Sequence, residues 1–442
     1  MKLGLFVQGG GHHVAAWRHP SVPYGATQSF AHFKDVTQRA ERGLFDMIFF
    51  ADSLGSFGPD DIEVWQRGAA MSRMEPVTLL SALAAVTERI GLVATMSTTY
   101  QEPWHIARFF ATVDRISDGR AGWNLVTSAA PAEPFNFGRD RHPSAGERYE
   151  QAAEAARVVR GLWETWDDDA FIEDRDAGLY FDADKMHYLN HEGKYFKVRG
   201  PLNVRRSPQG HPVLVQAGQS EAGRALAAET AEVIFTVQQE LEVAKAFRAD
   251  IRARARQLGR DPDGVKVMPG IVPVVAPTRE EAQAKFDELQ NLIHPALGVK
   301  VLSDLMGVDL SKYPLDGPVP DAPPNGMQEG RQQVVLDMAR HENLTIRQVY
   351  QRVAGARGHR IIIGSATEIA DDLEKWHREG AADGFNLMPP TFPDGLQDFI
   401  DLVIPELQRR GLFRTAYEGR TLRENLGLPF PVNRRAASRA AE

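Results

Sequence analysis

GRAGWNLVTSAAPAEPFNFGRD, Gly119–Asp140, is the stretch whose reading decides the fold. It opens as a strand, because Ala121, Trp123, Leu125 and Val126 are apolar and suit extended backbone. It changes character at Asn124, Thr127 and Ser128 and runs on as a loop of Pro, Asn and Gly. A buried strand that ends in small polar groups and opens into a long loop is how a (β/α) barrel builds one wall of an active-site lip.

Working outward, residues 2–8, 45–51 and 90–96 read as buried strands before this one, with helical spacing at 28–43, 75–87 and 103–116 between them. After it, 147–166 reads as a helix, and 212–217, 232–237, 265–275 and 384–388 read as strands. Strand and helix periods alternate, which predicts βαβ units and a parallel sheet. The expected fold is α/β, a (β/α)8 TIM barrel forming one domain over 1–431. Two stretches break the alternation, at about 168–205 and 291–358. The first is polar with scattered aromatics and predicts a hairpin or lid. The second is Pro-rich, with one helix near 332–340. Residues 432–442 are expected to be a flexible tail.

The composition excludes several classes. The 442 residues are 43% hydrophobic and 25% charged, with a net charge of −8 and no basic block, which argues against a nucleic-acid partner. The absence of Cys excludes disulfides, thiolate metal sites and a Cys nucleophile. The N-terminal apolar run is too short for a signal peptide, and no apolar run approaches the ~20 residues of a membrane helix. A cytoplasmic protein without membrane attachment is the expectation.

Five expected strands end in hydrogen-bonding groups: His12 and His13, Asp52 and Ser53, Thr95 to Thr99, Asn124 to Ser128, and Gln216 to Ser220. Loops are wet, so any one such end is ordinary. Five together, converging on one face of a closed barrel, point to a site. Gly218-Gln219-Ser220-Glu221-Ala222-Gly223 precedes a helix, where free backbone N–H groups and a Ser hydroxyl can hold a phosphate, though plain N-capping by Ser220 explains the same residues. Arg224-Ala225 stands where a P-loop needs Lys and Ser or Thr, so a nucleotide triphosphatase is rejected. Arg148 and Tyr149 can bring a cation and a hydroxyl to the same anion. His12-His13 has no spaced carboxylate partner, so no metal site is expected. Neither a Ser elbow nor a G-x-G-x-x-G after a strand is present. From the residues alone, the reading is a barrel enzyme that binds a flat, phosphate-bearing ligand at its C-terminal lip.

GRAGWNLVTSA followed by NFGRD resembles the flavin-dependent monooxygenases grouped with nitrilotriacetate monooxygenase, pristinamycin IIA synthase and dibenzothiophene-sulfone monooxygenase, in the bacterial-luciferase-like superfamily. AAWRHP (15–20), EPVTLLSALA (75–84), ERYEQAAE (147–154), the 196–220 stretch ending in AGQS, and VIPELQRRGLFRTAYEG (403–419) extend the resemblance over nearly the whole chain. The resemblance implies a barrel that takes FMN as FMNH2 from a separate NAD(P)H:flavin reductase. It also implies that O2 oxygenates a small organosulfur or organonitrogen compound through a flavin C4a-(hydro)peroxide. Carried over residue by residue, it assigns flavin contacts to Asp52, Thr95, His142, Tyr149 and Ser220, places Asn124 near the ring and Gly218 and Arg148 near the phosphate, and gives His12 or His13 a catalytic part. It further implies a homodimer or homotetramer, with the two insertions as lids that keep water out. The alternatives are a deazaflavin-dependent oxidoreductase and a non-catalytic flavin-binding barrel. For the substrate, Arg18, Arg139 and Arg141 would suit polycarboxylates, and Trp17, Phe57, Phe135 and Phe137 would suit flat heterocycles.

Overall fold

The computed structural model describes residues 1–55, 62–321, 329–355 and 358–436. Phe57, the Pro-rich positions from 322 onward and residues 437–442 of the expected tail lie outside the described residues. Nine strands form the main sheet: β1 (Lys2–Phe6), β2 (Met47–Phe50), β3 (Gly91–Ser97), β4 (Ala121–Val126), β5 (Val213–Gln216), β6 (Val233–Thr236), β7 (Lys266–Val275), β8 (Arg360–Gly364) and β9 (Gly384–Leu387). All their pairings are parallel. β1 through β7 pair in sequence order, and β9 closes the ring by pairing Asn386 with Gly270 of β7 and with Gly4 of β1. This is the closed eight-stranded barrel expected from the alternation. β8 is an addition to it, paired with β7 from Ile271 to Val275, where only Ile271 also pairs with β9.

The strands are continuous apolar runs because both faces are covered. Outward residues such as Leu3, Leu5, Ile48, Leu92 and Trp123 pack under the helices, while Met47, Phe49, Val93, Val213 and Met268 fill the interior. Phe6, Phe49 and Phe235 meet inside the barrel with centroids 5.1–5.6 Å apart. Their packing makes the barrel a filled core rather than a pore. The N-terminal end is sealed by the helix Leu422–Leu426: Leu422, Leu426 and Leu428 join the interior cluster. Gly91 makes room for this plug, since a Cβ there would lie 2.3 Å from Leu422 Cδ1.

The 168–205 stretch contains a two-residue antiparallel pairing, His191–Glu192 with Lys197–Val198. Glu154 holds it by accepting from His191 Nε2 at 3.0 Å and from the Phe196 N–H at 2.9 Å. The second stretch is more regular than its sequence suggests. Besides the helix Glu329–His341, it folds into helices Pro295–Met306 and Ile346–Ala354. The first opens on Pro at N1 after the His294 cap, and the second on a Thr345–Gln348 capping box. Leu302, Met306, Ile346, Val349 and Tyr350 form a separate apolar cluster that also takes in Ala15 from the loop after β1. At the other end, Asn433 is buried and donates to the Trp166 carbonyl at 3.0 Å, so the first residues of the expected tail are held in place. No helix among the described residues is long and apolar enough to cross a membrane.

Candidate active site

The C-terminal ends of β2, β3 and β4 form one cleft. Thr95, near the end of β3, donates its hydroxyl to the Phe50 carbonyl at 2.8 Å, and Asn124 of β4 donates its amide to Thr95 Oγ1 at 2.8 Å. This relay fixes the carboxamide orientation, because a hydroxyl that has used its proton can only accept. Asn124 Oδ1 is left as a buried acceptor with no partner among the described residues. Asp52, Ser53, Thr95, Ser97 and Ser128 line a small space of about 60 Å³ beside it. Burial pushes Asp52 up to about 6, against the pull of the Ser53 backbone N–H and Arg73.

The loop after β4 is braced onto this cleft. Ser128 bonds Ser97 at 2.8 Å and Thr99 donates to the Thr127 carbonyl at 2.7 Å. His142 engages Tyr100 Oη through Nδ1 at 2.7 Å and the Ala130 carbonyl through Nε2 at 2.8 Å, so both ring nitrogens hold the loop. Glu133, buried, accepts the N–H groups of Leu54 and Ala130 and joins the β2 loop to the β4 loop.

Further round the mouth, Ser220 caps the helix Glu221–Thr230 by accepting from the Gly223 N–H at 3.1 Å. Tyr149 Oη lies 3.3 Å from Ser220 Oγ. Tyr149 stands in the first turns of the helix Ala145–Trp163, whose start is set by a Ser144–Glu147 capping box. Arg148 in the same turn donates to the Pro143 carbonyl at 2.7 Å. Gly218 and Gly223 allow strand end and helix start to touch: a Cβ on Gly218 would lie 2.8 Å from Gly223 Cα and 2.5 Å from Gln216 Nε2. Two hydroxyls at a helix N-terminus with no intervening side chains form a cradle for an anion.

The histidines belong to a neighbouring cavity of about 470 Å³ over β1 and the end of β2. His12 and His13 are both buried, with backbone N–H groups bonded to the carbonyls of Pro389 and Pro390. The His12 ring packs edge-on against Phe6 at 4.9 Å and lies 6.2 Å from the ring of His359, which stacks on Phe235 at 5.2 Å. Gln8, Ser72, Arg73, Leu297 and Val301 also line this cavity. It meets the Asn124 cleft along β2, where Phe50 and Ala51 face one and Asp52 and Ser53 the other.

Comparison with known proteins gives this geometry a family. The luciferase-like monooxygenase family model matches residues 5–383. N-acetyl-S-(2-succino)cysteine monooxygenase of Bacillus subtilis (strain 168) is 51% identical over 99% of this chain and 98% of its own. Nitrilotriacetate monooxygenase component A of Aminobacter aminovorans is 50% identical over 98% and 97%. The crystal structure of DmoA from Hyphomicrobium sulfonivorans superposes with a TM-score of 0.88 at 32% identity, covering 99% of this chain and 95% of that one. The chain belongs to the luciferase-like monooxygenase family.

It is a flavin-dependent monooxygenase, and its own residues fit the cofactor. The unpartnered Asn124 acceptor suits a flavin ring N–H, and the Ser220–Tyr149 cradle suits a phosphate. The monooxygenase gathers Asp52, Thr95 and Asn124 in one cleft, sets Ser220, Gly218, Tyr149 and Arg148 together further round the mouth, and keeps His12 and His13 in the adjoining cavity. Of the substrate-contact candidates, Trp17 lines the cavity. Arg139 instead lies over the Tyr100 ring at 5.4 Å, Phe137 stacks on Tyr100 at 4.5 Å, Phe135 is exposed, and Arg18 bonds the Leu292 carbonyl. Sequence reasoning missed His359, Ser72, Arg73 and Glu133. His359 directly precedes β8, and a residue at the start of a parallel strand reads as lying away from the C-terminal lip, so no sequence signal pointed to it.

Proposed function

We propose that this chain is the oxygenase component of a two-component system: it takes FMNH2 from a separate NAD(P)H:flavin reductase and uses O2 to oxygenate a small organosulfur or organonitrogen compound. The observation that carries the reading is the Asn124 acceptor, buried and unfilled in the same mouth as the Ser220–Tyr149 cradle. A buried acceptor without a donor costs about 1–3 kcal/mol, so its retention favours a ligand that supplies one. The flavin supplies the two electrons with which one oxygen atom enters the substrate and the other leaves as water.

The chain's residues orient and enclose. Asn124 would accept from the ring, Asp52 and Thr95 would border the same edge, and Tyr149, Ser220, Gly218 and Arg148 would hold the phosphate. His142 keeps the β4 loop in place over them. His12 and His13 face the substrate cavity and are placed to move a proton there. The insertions at 168–205 and 291–358 complete a single barrel domain over 1–431, and the second brings Leu297, Val301 and Ala354 onto the cavity, where they exclude water. A cytoplasmic homodimer or homotetramer belongs to this proposal.

The test couples purified chain to a flavin reductase, NADH and FMN, and follows oxygen uptake and product with candidate thioethers and tertiary amines. Product that carries an atom from labelled oxygen gas supports the reading. Oxygen-independent hydride transfer would favour the deazaflavin alternative. Tight binding of oxidised FMN without product would favour the non-catalytic one.

A further inference from the structure

Resting on the monooxygenase reading, we propose that Glu133 is a positioning residue of the flavin site: from the loop after β4 it clamps the loop after β2, and so sets Asp52 and His142 in one fixed relation. Glu133 directly precedes the short helix Pro134–Phe137 but does not cap it with its side chain. Its carboxylate serves two other segments. Oε1 accepts the Leu54 N–H at 3.0 Å and the Ser53 hydroxyl at 3.3 Å, while Oε2 accepts the Ala130 N–H at 3.1 Å. The residue is only 3% exposed. Asn136, one turn further on, donates its amide to the Leu54 carbonyl at 2.7 Å. Leu54 thus has both backbone groups taken by the loop after β4. Gly55 lets the two loops touch, because a Cβ there would lie 2.7 Å from the Glu133 nitrogen and 2.9 Å from the Ala132 carbonyl carbon.

The clamp reaches a candidate flavin contact on each side. Asp52 and Ser53 directly precede Leu54, and both line the small space beside Asn124 together with Glu133. On the other side, the Ala130 carbonyl accepts from the Glu133 N–H at 3.0 Å and from His142 Nε2 at 2.8 Å. Ala130 is therefore held by Glu133 and His142 at once. The other ties of the loop after β4 go to β3 and the loop that follows it, through Ser97 and Thr99. Glu133 and Asn136 tie it to β2.

The residue type fits the task. Each oxygen faces a backbone donor, so a carboxylate satisfies both loops. A carboxamide would set its NH2 against one of those N–H groups and release one loop. Asp52 and His142 reach the mouth from loops, and loops are more mobile than the strands that carry them. A ligand that touches both must order them as it binds, at a cost in affinity, unless the protein has ordered them beforehand. The clamp does this before the flavin arrives.

The test follows the full-length parent, Glu133→Gln, Glu133→Ala and Asn136→Ala. FMNH2 is titrated anaerobically, the circular dichroism of the bound flavin is recorded, and each urea midpoint is measured. Glu133→Ala should lose about tenfold or more in flavin affinity, Glu133→Gln less because one oxygen remains, and Asn136→Ala about threefold. The flavin dichroism should change in both Glu133 variants. In an Asp52→Ala background, Glu133→Gln should cost clearly less affinity than it does alone, because the contact it positions is gone. Lower midpoints with affinity and dichroism unchanged would mark Glu133 as a brace only and overturn the inference, as would strictly additive losses with Asp52→Ala. Should neither Glu133 variant fold, Asn136→Ala decides, since it removes only an exposed amide: affinity equal to the parent's overturns the inference. A parent that binds no FMNH2 would instead fell the flavin reading, and this inference with it.

Discussion

At the N-terminal end of the barrel Arg423, 2% exposed, donates to Glu232 at 2.5 and 3.1 Å and to the backbone carbonyls of Gln209 and His211. At the C-terminal end Asn124, equally buried at 2%, keeps Oδ1 without a partner among the described residues. The contrast recurs. Around the plug, Asp114 accepts from Gln209 Nε2 at 2.7 Å, from Ser207 and from the Ala121 N–H, and Asp46 pairs with Arg414 and accepts the Leu3 N–H. Toward the mouth, Asn386 inside the ring and Gln290 beside Gly355 and His13 have carboxamides with neither polar atom partnered among the described residues. Around the plug the buried carboxylates Glu232, Asp114 and Asp46 find their partners within the fold. The open end holds acceptors and donors for something that arrives. The chain that makes the barrel stable and the chain that makes it bind are therefore separable by mutation.

The largest expected effect is at the closed end. Arg423→Met strands Glu232 in the interior and should lower unfolding free energy by about 3–5 kcal/mol, read as a fall in urea midpoint. Burial alone would raise Glu232; the adjacent guanidinium overrides it and holds the carboxyl down at about 2 instead of 4.5. A depressed acid stabilises the native state above its ordinary value and loses that stabilisation as pH falls through the depressed one. The gap between parent and variant should therefore shrink as pH falls, beginning above about 4.5, where the variant's stranded carboxyl takes up a proton, and continuing toward 2 as the parent's does. A pH-independent gap would break the comparison on this side.

At the mouth, Gly218→Ala should cost about 1–3 kcal/mol by overpacking and weaken FMN binding, because its Cβ meets Gly223 and Gln216. Asp52→Asn should have a smaller effect of the opposite sign. Burial raises Asp52 from 3.8 to about 6, so ionising it penalises the native state as pH rises through that window. The variant should gain about 1–2 kcal/mol on the parent between pH 4 and 6 and keep a constant lead above that. Parallel stability–pH curves would contradict it. Smallest in stability is Asn124→Ala, expected within about 1 kcal/mol of the parent yet about tenfold weaker for FMN, because the lost acceptor serves the ligand more than the fold. A large stability loss with unchanged flavin binding would erase the contrast between the two ends.

The barrel was legible because its strands are long apolar runs that switch period with each helix, and Gly119–Val126 carries that switch plainly. The polar ends of β2, β3 and β4 were legible for the same reason, since Asp52, Thr95 and Asn124 interrupt such runs. β8 and His359 were not, because five residues after a Pro-rich stretch carry little period, and β8 gains its place by pairing with the upper half of β7. Helices Pro295–Met306 and Ile346–Ala354 were hidden because their apolar faces bury one another rather than the barrel. Ser72 and Arg73 sit in a polar stretch where spacing says nothing, and only folding brings them to Thr27 and Trp17. The pairing of His142 with Tyr100 and Ala130 likewise depends on tertiary placement.

The most direct test of the central claim is an anaerobic titration of FMNH2 into parent, Asn124→Ala and Ser220→Ala chains, with each variant's urea midpoint recorded alongside. The account predicts saturable binding of one flavin per parent chain, about tenfold or greater loss in each variant, a midpoint close to the parent's for Asn124→Ala, and for Ser220→Ala only the fall of about 0.5–2 kcal/mol that a lost helix cap brings. Equal affinity in all three proteins, or no binding by the parent, would contradict it.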